Sequence, residues 1–116
     1  MQIKQIDSVP LQPVNMEGAS GASVRVVFGP ADNAPTFAMR IFELAPGGNT
    51  PYHKHNFEHE VLILEGDLAA VTPEGPTKLA IHDALLIQPN ETHQFKNLSD
   101  TKSAKFMCLV PIEYQK

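Results

Sequence analysis

Apolar and polar residues alternate over short runs in this chain, and no window of about a dozen residues carries the 3.6-residue period of an amphipathic helix. The runs read as strands. Residues 23–28 (SVRVVF) are rich in β-branched side chains and stop at Gly29-Pro30, while residues 37–44 follow the turn-rich ADNAPT and stop at Ala45-Pro46-Gly47-Gly48. A histidine-bearing strand over 53–55 comes next, then the apolar run 60–64, a tight turn at Glu65-Gly66-Asp67, and 68–72. The chain turns again at 73–76 (PEGP), and 77–80, 84–88, 92–97 and 105–112 complete about ten strands at the spacing of a sandwich or barrel. Ten prolines and seven glycines spread along the length leave little room for helices. The prediction is an all-β fold, closed or double-sheeted, in one domain over 1–116, with a core barrel over about 24–112 and residues 1–20 loose or adding a strand.

Composition narrows the classes of partner. With 42% hydrophobic and 19% charged residues the balance is that of an ordinary globular chain. A net charge of −4, with nine Lys and Arg scattered singly, supplies no basic footprint for nucleic acid or an anionic membrane, so a small-molecule ligand is the expected partner. Cys108 is the one cysteine, which excludes an intrachain disulfide and a thiolate metal cluster. MQIKQIDSVPLQP lacks the apolar segment and cleavage site of a signal peptide, and no run approaches the length of a membrane span, so the expected location is the cytoplasm.

Chemistry concentrates in residues 47–66, GGNTPYHKHNFEHEVLILEG, which hold three of the five histidines. On an extended strand an H-x-H pair places His53 and His55 on one face. His59 follows a turn at Asn56, and His93 sits in PNETHQF, another turn-then-strand context, so a fold that pairs the two segments brings four imidazoles to one point. His55 to His59 also spells H-x-x-E-H, a helical zinc-peptidase pattern, but Pro51, Gly47-Gly48-Asn49 and the β-branched run that follows argue against a helix. His59 shares strand parity with Val61 and Ile63, whereas Glu58 and Glu60 point to the other side and are poor ligands, either solvated or outer carboxylates that accept a histidine N–H. His82, alone before Asp83 in a turn, is left out of the site. Tyr52 and Tyr114 read as structural, Gln88 and Gln94 as surface residues. Phe28, Met39, Ile41, Phe42, Val61, Ile63, Phe95, Phe106 and Val110 read as core, some of them lining a pocket for a small, partly apolar substrate.

These residues resemble the cupins. Gly47, His53, His55 and Gly66 fall in register with the first cupin motif, and His59 takes the place of its usual glutamate. In the second motif His93 and Asn97 match, while His82, Gln88 and Asn90 stand where Gly, Pro and Gly are usual. Asn90 is a residue able to adopt the left-handed turn that the glycine would supply. HxHxxEHEVxxLEG, PNExHxFxN and the closing Phe106, Cys108, Leu109, Pro111 pattern look like the small single-domain bacterial cupins whose metal, often manganese, is held by four histidines. The resemblance implies a jelly-roll barrel, a divalent ion (Mn, or Fe, Ni, Cu or Zn) on His53, His55, His59 and His93, Cys108 facing the interior beside it, and a homodimer. Four neutral imidazoles leave the ion its full +2 charge, which suits a Lewis acid with open positions for substrate and dioxygen. The expected function is thus a metal-dependent oxygenase, dioxygenase-like, with Cys108 as a candidate catalytic contact. A non-catalytic ligand-binding or sensor barrel and a sugar isomerase or epimerase are the alternatives.

Overall fold

A computed structural model describes residues 1–115. Nine strands are present: β1 (Gln12–Pro13), β2 (Ser20–Phe28), β3 (Phe37–Asn49), β4 (His59–Glu65), β5 (Leu68–Thr72), β6 (Gly75–Lys78), β7 (Ala84–Ile87), β8 (Gln94–Asn97) and β9 (Ala104–Pro111). They form one antiparallel sheet in the order β6-β5-β8-β3-β9-β4-β7, with β2 on β3 and β1 on β2, curled into an all-β jelly-roll half-barrel. Helical structure is confined to three single 3-10 turns, and among the described residues no helix is long and apolar enough to cross a membrane.

The long strand β3 organises the sheet. Its first part pairs with β9 from Phe37↔Pro111 to Leu44↔Ala104, and after a bend at Ala45–Gly48 its last residue pairs with β8 as Asn49↔Lys96. Strict alternation on β9 turns Ala104, Phe106, Cys108 and Val110 inward, and the same period on β4 buries His59, Val61 and Ile63 while Glu60 faces out. Phe106 is the centre of the core, stacked on Phe42 at 5.1 Å and tilted against Phe95 at 4.6 Å between ring centroids. At roughly 25 cal/mol per Å² of apolar area, each such buried side chain contributes about 1.5–3 kcal/mol.

Two devices hold the ends of the strands. Gly66, between β4 and β5, has φ +92°, and a Cβ there would lie 2.6 Å from Ala104 Cβ, so only glycine fits. Asn97, at the end of β8 and 4% exposed, directs Nδ2 at the carbonyls of Leu44, Ala45 and Lys102 (3.2, 3.1 and 2.7 Å), and its Oδ1 accepts from Ser99 N at 3.0 Å.

Two expectations are corrected. Strands number nine where about ten were expected, because residues 53–55 form no strand: Pro51 has no N–H to give a ladder, and the segment keeps a single bridge, His53↔His93. The turn at PEGP is shorter than it reads, since Gly75 (φ +108°) already opens β6. Within residues 1–20, Gln12–Pro13 contribute β1, which pairs with β2, and Arg25 reaches back to donate to the Val9 carbonyl.

Candidate metal centre

The segment that leaves the sheet after β3 is held by backbone bonds to the chain around β8. Thr50 N donates to Phe95 O (2.9 Å), Phe95 N donates to Thr50 Oγ1 (2.8 Å), His53 and His93 exchange both N–H···O bonds (3.1 and 2.9 Å), and Asn90 N donates to His55 O (2.7 Å). Those bonds, rather than strand parity, bring the histidines together. One ring nitrogen from each of His53, His55 and His93 lies within 4.8 Å of the other two, and the centroid separations among these three rings are each 5.1 Å. His59 arrives from β4 and sets its Nε2 2.6 Å from His55 Nε2. Asn90 supports this with φ +67°, the left-handed turn that a motif glycine would give, and His82 adopts φ +75° at another glycine position.

Hydrogen bonds fix most of the tautomers. His55 Nδ1 faces the Phe57 carbonyl at 2.9 Å and His93 Nδ1 the Glu91 carbonyl at 2.8 Å. A carbonyl only accepts, so both Nδ1 atoms carry the proton and both Nε2 atoms present lone pairs to the cluster. His59 Nε2–H must then donate to His55 Nε2, leaving His59 Nδ1 to accept from the Cys108 thiol at 3.2 Å, while Arg40 Nη2 donates to Cys108 Sγ at 3.0 Å. The result is a one-way chain from Arg40 through Cys108, His59 and His55 to the Phe57 carbonyl.

Electrostatics keep these groups uncharged. Burial, then the neighbouring His93 and His55, pulls His53 down to about 4. Burial, then Arg40 and the other histidines, pulls His59 down to about 3. His55 is lowered too, mainly by burial, against the bond to Phe57. Burial raises the Cys108 thiol although Arg40 opposes it, so Cys108 is a protonated donor. A divalent ion requires neutral imidazoles, and with the Nε2 lone pairs of His55 and His93 aimed at the cluster the residues present fit one.

The cluster opens into a cavity of about 260 Å³, with Phe42, Phe57, Phe95, Phe106 and Tyr114 among its walls. His55, Phe57 and Tyr114 form a continuous stack at 3.9 Å spacing. Tyr114 therefore belongs to the site, contrary to its reading as structural: after β9 a 3-10 turn brings it back across the mouth. Arg40 was overlooked as well. In FAMRIFEL both parities are apolar enough to be core, and the pairing Arg40↔Cys108 shows that the even-numbered set faces the cavity. Glu58 and Glu60 are exposed and line a separate surface hollow with Phe37 and Leu109, so neither supports the histidines. His82 is exposed away from the cluster, Gln88 is exposed, and Gln94 Nε2 donates to Thr50 O at 2.9 Å. Residues 55–59 contain no helix, which removes the zinc-peptidase geometry.

Residues 40–110 match the family model of the cupin domain. A curated relative, 1-methylthio-D-xylulose 5-phosphate methylsulfurylase from Rhodospirillum rubrum, is 32% identical over 84 residues, covering 72% of this chain and 53% of its own length, so the chain spans about half of that relative. Among solved structures, the polyketide cyclase RemF from Streptomyces resistomycificus superposes with a TM-score of 0.92 at 28% identity, over 100% of this chain and 82% of that one. A cupin-2 domain from Rhodospirillum rubrum gives a TM-score of 0.82 at 27% identity, over 100% and 77%.

Proposed function

The chain belongs to the cupin-domain family, and from that premise we propose that it is a metal-dependent enzyme acting on a small, partly apolar carbonyl substrate, with ring closure on a polyketide-like compound as its reaction. The observation that carries this reading is the set of imidazoles, without a carboxylate among them, at the base of an aromatic-walled cavity. His53, His55, His59 and His93 would hold the ion in this proposal, with His59 in the other tautomer, its proton on Nδ1 facing Cys108 Sγ and its Nε2 lone pair released from His55. Bound there, a divalent ion supplies Lewis acidity at its full charge, polarising a carbonyl oxygen. Nitrogen donors favour Zn, Ni or Cu by affinity, and manganese, expected from the sequence, depends on supply.

The chain's own groups do the rest. The Nδ1 bonds to the Phe57 and Glu91 carbonyls lock two rings so that their lone pairs stay aimed at the cluster. Phe42, Phe57, Phe106 and Tyr114 offer flat apolar walls to a conjugated substrate and exclude water. The Cys108–His59 pair keeps one proton inside the cavity, at Sγ or at Nδ1. The full-length similarity to a protein named a polyketide cyclase supports ring closure over other cupin chemistry.

An oxygenase is the second reading, favoured by the same all-nitrogen donor set, which stabilises the lower oxidation state of a redox metal. One experiment separates the two: protein loaded with Zn²⁺ or with Fe²⁺ or Mn²⁺ is incubated with a panel of linear polyketides and β-diketones, with mass spectrometry and oxygen uptake as readouts. Loss of one water without oxygen uptake supports cyclisation, and oxygen incorporation supports the oxygenase. Tight binding with neither product refutes catalysis and leaves a ligand-binding barrel.

A further inference from the structure

Among the described residues Arg40 is the one formally charged side chain on the cavity wall, and no carboxylate lines that wall. Among the described residues it makes no ion pair. Its guanidinium lies over the Phe42 ring with Cζ 4.9 Å from the centroid, its Nη2 is bonded to the weak acceptor Cys108 Sγ at 3.0 Å, and its Nε is buried with no hydrogen-bond partner. A guanidinium has five N–H donors, and one sulfur satisfies little of that capacity. Arg40 is half-buried, and leaving its buried Nε–H without an acceptor costs free energy that the Phe42 ring and the Cys108 sulfur return only in part.

We infer that Arg40 is the anion-recognition residue of the cavity and that the substrate carries a carboxylate, which the guanidinium binds while the attached apolar body lies against the aromatic walls. This inference rests on the reading of the cavity as the substrate site. A planar two-oxygen anion matches the edge of the guanidinium better than a tetrahedral one fits a cavity of about 260 Å³ with flat walls. That volume lies just below the usual range for drug-sized ligands, so the carboxylate end of a substrate fills it and a longer chain would extend past Tyr114.

The test uses chelator-treated protein, so that no ion contributes to anion binding, and then the Zn²⁺-loaded form. Benzoate and its neutral near-isostere benzamide are titrated by calorimetry or by ligand-observed NMR, with inorganic phosphate as a third probe. The expected result is benzoate binding at least about 10-fold tighter than benzamide in the chelated protein. Arg40→Gln removes that preference and Arg40→Lys keeps part of it, and both variants still bind Zn²⁺, Arg40→Gln at least as tightly as the wild type because a cation beside the histidines is gone. Equal affinity for benzoate and benzamide overturns the inference without reference to any variant, and so does a preference that survives in Arg40→Gln. Tighter binding of phosphate than of benzoate overturns the carboxylate assignment. Because benzoate binding is read without metal and Zn²⁺ binding without benzoate, failure of the histidine centre and failure of Arg40 give different results.

Discussion

Asn97→Asp is the sharpest test of how the barrel holds its site. The substitution preserves shape, so no cavity forms, and it retains the bond from Ser99 N to Oδ1. What it changes is the amide nitrogen that faces the Leu44, Ala45 and Lys102 carbonyls at 3.2, 3.1 and 2.7 Å. Two donated hydrogens are lost, at about 0.5–1.5 kcal/mol each, and a carboxylate oxygen is set against buried carbonyls, an unsatisfied arrangement worth another ~1–3 kcal/mol. The total is roughly 2–6 kcal/mol, centred near ~4, out of the ~5–15 kcal/mol typical of a domain. Urea unfolding followed by circular dichroism reads it as a fall of about 2–3 M in midpoint at unchanged slope. Asn97→Ala, which sets no acceptor against the carbonyls, costs less than Asp. Burial and the facing carbonyls raise the pKa of the new Asp above its unfolded value, so protonation restores a donor and its deficit relative to the wild type narrows from pH 7 to pH 5. A variant within about 1 kcal/mol of the wild type, or a deficit that ignores pH, would refute the reasoning.

Metal-free protein loses stability on acidification: His53 and His59 have folded values of about 4 and about 3, below the ordinary 6.5, so their contribution is present above pH 6.5 and lost as pH falls toward those values. Each adds a slope of up to ~1.4 kcal/mol per pH unit, less for the half-exposed His53, and unfolding curves that coincide at pH 7 and pH 5 would contradict this. His93→Ala weakens Zn²⁺ or Mn²⁺ binding by at least about 10-fold in calorimetry while His82→Ala leaves it unchanged, and equal effects reject the ligand set. Gly66→Ala forces a left-handed alanine into contact with Ala104 and destabilises by about 2–4 kcal/mol, read as a lower melting temperature, and an unchanged melting temperature would show that the turn relaxes freely.

The barrel was legible because its strands obey period two where one face is buried: β4 and β9 gave the inward set His59, Val61, Ile63, Phe106, Cys108 and Val110 directly. The site was legible as a cluster and misread as a strand. His53 and His55 converge through backbone bonds to residues 90–95, tertiary contacts that no local pattern encodes. Arg40 was hidden by a strand apolar on both faces, Ile41 being 2% exposed although it points opposite to Phe42. Tyr114 was hidden because its position depends on where the chain goes after β9, and the stacking of its ring on Phe57 is a contact across 57 residues of sequence. The glycine positions filled by His82 and Asn90 weaken the motif as letters, yet both residues take the positive φ that the motif requires.

The pairing of β3 with β9 also sets a timetable. Its register joins residues about 60–75 positions apart, so the chain must close a long loop before those contacts repay the entropy, and folding belongs to the slow, millisecond-to-second class of sheet proteins. His53 and His93 meet through the bridge beside β8, and His59 comes into place only when β4 seats on β9. The four donors thus converge only where both of these long-range pairings are in place. An ion held by them acts as a latch on a finished cup: it slows unfolding and leaves the rate of folding alone.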